Sequence, residues 1–259
     1  MTFKRRPSQI ILILVMSLSY LASPAMKAAS PRVKPYRGGN LSGLALNTST
    51  EPKLDQLEMI DLFNGKDLTG WSVKGGQMLF QVMDGILVGK CDPSVRLNSF
   101  LATDNAYTDF ILSAEYQWVV PSNSGIMIRA ATRPLQPNEK TKIKDRTLHR
   151  VFGLQCEIDS SSRGWTGGIY GEAMGGWKYP LSKDPEHNQA REAVKDQLDW
   201  NRITIHVEGD KIKTWVNGIP CANLSNRERQ SGFIALQVHQ GKQGEINWRA
   251  IRIKELNKS

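Results

Sequence analysis

Over much of this chain apolar positions recur every second residue, in short runs broken by glycine, proline and asparagine. Side chains on a strand point to opposite faces in turn, so this period predicts strands. The stretch "MLFQVMDGILVGK" is two such runs joined at Asp84-Gly85, a two-residue hairpin signal. "TDFILSAEYQWVV" predicts a long strand, and "IMIRAA" another after Pro121-Ser122-Asn123-Ser124-Gly125. "VFGLQCEID" and "GGIYG" come next. "RITIHVEGDKIKTWVNGIPCANL" is cut by Gly209-Asp210 and Asn217-Gly218 into a three-strand meander, and "GFIALQVH" and "EINWRAIRIKEL" complete the series. Only Ala190, Val194 and Leu198, every fourth residue after Asp184-Pro185, predict a short helix, inside a long insertion. Many short strands with glycine-rich turns define an all-β sandwich or jelly roll, here one domain.

The N-terminus departs from that pattern. Lys4, Arg5 and Arg6 precede "IILILVMSLSYLASPA", the layout of an export signal with cleavage near Ser23-Pro24-Ala25. The run is short for a membrane span, which needs about 20 apolar residues. We therefore expect a signal peptide over 1–25, a linker over 26–56 and the folded domain over 57–256. An exported, periplasmic or extracellular protein is the result, with no membrane contact beyond the signal. That segment holds three basic residues and no acid, so its removal lowers the formal charge from +9 to +6. The densest basic run, Lys140, Lys142, Lys144 and Arg146, is interrupted by Asp145 and reads as a solvated face. No nucleic-acid motif accompanies it, so a nucleic-acid partner is not expected. Cys91, Cys156 and Cys221 are odd in number and far apart, which does not imply a disulfide framework.

The alternation also sorts residues by face. Leu154, Cys156 and Ile158 take one side of their strand; Gln155, Glu157 and Asp159 take the other. Gly125, Met127 and Arg129 lie opposite Ile126 and Ile128, with Asn123 at the entry. Gln237 and His239 lie opposite Leu236 and Val238. Three strands thus offer Asn123, Arg129, Gln155, Glu157, Gln237 and His239 to faces able to converge. Planar amides give and accept hydrogen bonds, as a polyol demands, and one carboxylate, one guanidinium and one imidazole can move a proton. Trp165, Tyr170 and Trp177 crowd "RGWTGGIYGEAMGGWKYP" just downstream, and aromatic rings stack on sugar faces. A solvated outer face is the plain alternative.

Absent motifs narrow the chemistry. There is no GxSxG elbow, HExxH, GxGxxG cradle or Walker loop. No zinc cluster is expected, nor any cofactor; a divalent cation on Glu157 or Asp159 remains an option with little signal. A two-carboxylate glycosidase would need a pair flanking the bond, for which Glu157 with Asp159 is the nearest set.

Five stretches taken together resemble the 3-keto-disaccharide hydrolase family: "IDLFNGKDLTGW" (60–71), "NSGIMIR" (123–129), "GGIYG" (167–171), "DWNRITIHVEGDKIKTWVNGIP" (199–220) and "SGFIALQVHQGKQGEINWRAIRIKEL" (231–256). The resemblance covers roughly 57–256. It implies a concanavalin A-like jelly-roll sandwich and a carbohydrate substrate of the 3-keto-glycoside class, with lyase or hydratase members. Where that family's strand has Glu, a spacer and Gln, this chain has Gln155, Cys156 and Glu157; where it has Asn in the last strand, this chain has Ala250. The implied chemistry is proton removal at C2, elimination at C1 and addition of water. Glu157 or His239 would be the base and the other the acid, Arg129 would steady the enolate, and Asn123, Gln155 and Gln237 would hold hydroxyls. A non-catalytic, lectin-like carbohydrate-binding module is the competing expectation.

Overall fold

A computed structural model describes residues 44–140, 143, 145, 147–181 and 189–256. The expected export signal, the first part of the expected linker, Lys142, Lys144 and Arg146 of the basic run, and Asp184, Pro185 and His187 lie outside these residues.

The strands open with β1 (Ile60–Asp61), β2 (Trp71–Gly75), β3 (Leu79–Met83), β4 (Ile86–Lys90) and β5 (Ser99–Thr103). Then come β6 (Phe110–Val120), β7 (Asn123–Pro134), β8 (His149–Asp159), β9 (Ile169–Glu172) and β10 (Gly176–Tyr179). β11 (Asn201–Glu208), β12 (Lys211–Val216), β13 (Ile219–Ser225), β14 (Phe233–Val238) and β15 (Glu245–Glu255) complete them. One sheet runs β13-β12-β11-β6-β15-β4-β3, with β1 on β15; the other runs β10-β9-β8-β7-β14-β5-β2. The fold is a concanavalin A-like jelly-roll sandwich of two antiparallel sheets.

The period of two builds it. Ile126, Ile128, Leu154, Cys156, Ile158, Ile234 and Leu236 face inward from one sheet and meet Leu112, Ala114, Ile203, Ile205 and Val207 from the other, all buried. Each such leucine, isoleucine or valine contributes about 1.5–3 kcal/mol relative to exposure. Cys156 is one of these core residues, and all three cysteines are free and buried. The β3–β4 and β12–β13 hairpins turn on Asp84-Gly85 (φ 49° and 77°) and Asn217-Gly218 (φ 50° and 88°). Positive φ at both central residues is what the tight two-residue hairpin requires. The expected helix over 190–198 is only a 3-10 turn, Gln189–Ala193. Leu198 is exposed with φ 70°, while Val194 packs partly buried against the core, so the recurrence does not extend to Leu198. A one-turn α1 (Pro137–Lys140) lies between β7 and β8.

Two features give the sandwich its functional surfaces. First, β7 pairs with β8 in regular register up to Ile128 and resumes at Ala131. The skipped pair is a bulge, and bulges bend and twist the strand that carries them. Beyond it Val151 packs with Phe100, Ala102, Met127, Ala130 and Ala235 on the outer face of that sheet. β2 touches β8 although three strands separate them in the sheet. Contact across three strands needs a sheet curled into a trough. Second, the described part of the expected linker is an arm laid on the other sheet. Asn47 Nδ2 donates to Thr214 O (3.0 Å), Trp215 Nε1 to Ser49 O (2.9 Å), and Arg202 pairs with Glu51.

Candidate functional site

The trough contains a cavity of about 540 Å³, within the range of small-ligand sites. Its floor comes from β8, where the outward residues are Gln155 and Glu157. Gly125 stands directly across from Glu157, and Tyr170 across from Gln155. A Cβ on Gly125 would lie 2.5 Å from Gln155 Cγ and 2.7 Å from its Nε2. The missing side chain is therefore what lets the Gln155 amide lie flat against β7.

Glu157 is the centre of the polar floor. Its carboxylate accepts hydrogen bonds from Asn123 Nδ2 and from Gln155 Nε2 (2.9 Å). Burial raises its pKa to about 7, with Asp159 and Glu172 adding to the rise and the two amide donors opposing it. A carboxylate held near neutrality can exchange a proton in either direction. Gln155 Nε2 also points to Gln237 Oε1 at 3.5 Å. Gln155 Oε1 and Gln237 Nε2 are then buried without hydrogen-bond partners. A buried acceptor and a buried donor left open beside the same carboxylate form a ready pair for hydroxyl or carbonyl oxygens, since such groups are costly to leave unpaired.

His239 lies just past the end of β14 and lines the same cavity. Burial lowers its pKa, and Arg163 and Arg150 push the same way, so the imidazole is neutral at neutral pH. The wall opposite is aromatic and half-buried. Trp177 meets Trp165 and Tyr170 edge-on, with centroids 5.1 and 5.3 Å apart. Arg163 stacks 3.7 Å from the Trp165 ring while its guanidinium binds Asp159 through two bonds of 2.8 and 3.0 Å. Asp159 thereby positions Arg163 rather than facing a ligand.

Eight of the nine expected residues thus line one cavity: Asn123, Gln155, Glu157, Gln237, His239, Trp165, Tyr170 and Trp177. Arg129 does not, and its expected place is corrected. It sits in the bulge with φ 47°, which throws its side chain off the alternating face. Its guanidinium donates to Thr108 O (2.6 Å), Gly209 O (2.7 Å) and Asp109 Oδ1 (2.6 Å), none of which borders the cavity. Arg129 is a buried clamp between loops.

Sequence reasoning missed Arg150, Arg163, Glu172, Asn98 and Gln240, which also line the cavity. Glu172 was within reach, since it lies two residues beyond Tyr170 on β9. It is buried and paired with Arg150 at 2.7 Å, and burial raises its pKa against the pull of Arg150 and Asn98. Arg150 carried no signal: it lies on the even-numbered, apolar side of β8 and reaches the cavity beyond the bulge. Among the described residues no group of three His, Cys, Asp or Glu stands close enough to hold a metal ion.

A jelly-roll sandwich with an amide-rich, aromatic-walled trough is the kind of protein that handles sugars. The sequence pattern of the 3-keto-alpha-glucoside-1,2-lyase-like domain matches residues 58–254, and the chain belongs to that family. Its function is carbohydrate-related. No curated protein matches the chain. Among solved structures it is similar to a candidate glycosyl hydrolase from Parabacteroides distasonis, 18% identical, with TM-score 0.52 over 77% of this chain and 94% of that one. A second candidate glycosyl hydrolase from that organism is 17% identical, with TM-score 0.50 over 77% and 100%. At these identities the likeness is one of fold. No helix among the described residues is long and apolar enough to cross a membrane.

Proposed function

We propose that this chain is an exported enzyme acting on 3-keto-glycosides, with Glu157 as the base. A carbonyl at C3 acidifies the hydrogen on C2. Glu157 takes that proton, the C2–H electrons form the C1=C2 bond by way of the enolate, and the C1–O bond breaks with its electrons on the departing oxygen. The departing oxygen takes back the proton held on Glu157 and leaves as an alcohol. Water then adds, hydroxyl to C1 and hydrogen to C2, for net hydrolysis. The observation that carries this reading is a buried carboxylate with a pKa of about 7 beside an unpartnered amide donor and acceptor.

The geometry divides the roles. Amide donors on both carboxylate oxygens favour the ionised, proton-accepting form of Glu157. Gln237 Nε2 is the open donor for the enolate oxygen, the part Arg129 cannot play. Gln155 Oε1 accepts a sugar hydroxyl, and Asn123 keeps Glu157 in place. Neutral His239 guides the departing oxygen and the incoming water. Trp165, Tyr170 and Trp177 stack against the ring. The aromatic corner alone also favours a second reading, a lectin-like module that binds without turnover.

The test is conversion of a 3-keto-glucoside by wild type and Glu157→Gln. The variant should lose about a thousandfold in kcat/KM while still binding sugar. Wild-type kcat/KM should rise with pH and level off above about 7. Binding without conversion in the wild type would establish the lectin-like reading instead.

A further inference from the structure

The cations inside the trough are already matched, Arg163 by Asp159 and Arg150 by Glu172. Two others nearby are not. Arg96 and Lys242 are exposed, and neither has an ion pair or side-chain hydrogen bond among the described residues. They line a depression of about 550 Å³ together with Val95, Gln240 and Gly241. Gln240 lines the trough cavity as well, so the two hollows share a wall.

The loops that carry these cations are fixed. Gln240 N–H donates to Asn98 Oδ1 (2.9 Å), and Asn98 also borders the trough. Cys91 N–H donates to Gly244 O (2.8 Å), and Val95 N–H to Asp92 O (3.1 Å). Past Arg96 a further hollow begins, with Asp145 on its lining. Among the described residues the lining beside Gln240 carries two cations and no acid, so an anion is favoured there.

We propose that this depression is a second subsite, which takes an anionic sugar unit joined to the ring in the trough. Carboxylate and sulfate ester share the required chemistry: a compact anion on a hydrophilic ring, met by a guanidinium and an ammonium. The proposal rests on the reading that the trough binds a 3-keto ring, and it adds that the attached unit is acidic.

The experiment uses the full chain carrying Glu157→Gln, so that ligands survive titration. Three 3-keto-glucosides are compared, with glucose, glucuronate or glucose 6-sulfate as the attached sugar. The acidic compounds should bind about tenfold more tightly at low salt, because each exposed charge contact adds modestly. High salt should shrink that advantage. Adding Arg96→Gln and Lys242→Gln should abolish it while the neutral compound binds as before; the two acidic compounds together show whether uronate or sulfate is preferred. Equal binding of neutral and acidic compounds, or an advantage that survives the double substitution, overturns the subsite and leaves the trough reading standing. If none of the three binds, both fall.

Discussion

At the scale of single residues, Glu157 shows a conflict between stability and chemistry. Its folded-state pKa of about 7 lies above the ordinary value of 4.5. Between those values the folded state binds more protons than the unfolded chain, so stability falls as pH rises through the window and the loss is complete above it. The gap corresponds to about 3 kcal/mol. Glu157→Gln should therefore match wild type near pH 4 and exceed it by up to about 3 kcal/mol near pH 8, measured by urea unfolding at both. A variant less stable at the higher pH would show that the carboxylate is not strained by its burial. Arg129 presents the opposite case. Replacing it by methionine leaves the Asp109 carboxylate without its guanidinium and several backbone carbonyls without donors. The expected cost is about 3 kcal/mol, with kcat/KM of the folded protein unchanged. A large fall in kcat/KM at unchanged stability would return Arg129 to the site. Ala250 is an exposed residue with φ 47° in the bulge of β15. A side chain costs about 1–2 kcal/mol in that conformation, which asparagine and glycine tolerate better. Ala250→Asn or Ala250→Gly should raise the urea midpoint by the equivalent of about 0.5–1 kcal/mol.

At the scale of elements, regular strands explain what could be read in advance. β8 and β14 keep their period up to the site, so parity alone placed Gln155, Glu157 and Gln237, and His239 one step beyond; Tyr170 was marked by the crowding of aromatic residues, not by parity. Parity failed where the backbone leaves the strand. One inserted residue in β7 moved Arg129 to the loops, and the curl beyond the bulge brought Arg150 in from the apolar side. Arg163 belongs to the loop after β8, where no period applies. The stretch "NGKDLTGW" proved to be turn chemistry: Asn64 Oδ1 accepts from Lys66 and Asp67 N–H (2.8 and 3.0 Å), and Trp71 Nε1 closes onto Leu62 O (2.8 Å). The β7–β8 pair offers its own test. Gly125→Ala puts a methyl group where the Gln155 side chain lies, so the amide must swing out and abandon both Glu157 and Gln237. We expect kcat/KM to fall at least tenfold, as loss of a buried, charge-assisted hydrogen bond requires. Substituting Gln155 by serine in the same chain should recover stability lost to crowding and leave activity low. A Gly125→Ala protein with wild-type kcat/KM would show that the floor does not depend on the Gln155 amide lying against β7.

At the scale of the whole molecule, the arm ties the far sheet to the trough. The family pattern begins at residue 58, yet Leu44 to Glu51 belong physically to the sandwich. Trp215 and Thr204 sit on the outer face of β12 and β11, where side chains would ordinarily meet water, and both are buried. Trp215 Nε1 donates to Ser49 O, and Thr204 Oγ1 donates to Glu51 Oε1. At the other end of the arm, Ala45 O accepts from Tyr179 Oη at 2.9 Å. Tyr179 ends β10, the strand that presents Trp177 to the cavity. A chain beginning at Asp55 would therefore expose a tryptophan and release the aromatic wall at once. Uncovering one indole costs roughly 4 kcal/mol, which for a domain of this size lowers Tm by about 10 °C. The tryptophan emission should shift to the red as Trp215 meets water. Freeing β10 loosens the ring against which the sugar stacks without touching Glu157, so KM should rise about fivefold for one lost hydrogen bond while kcat holds. An unchanged Tm and emission would show the arm to be a passive tether; a fall in kcat with KM unchanged would show that β10 acts on the reacting atoms rather than on the ring beside them.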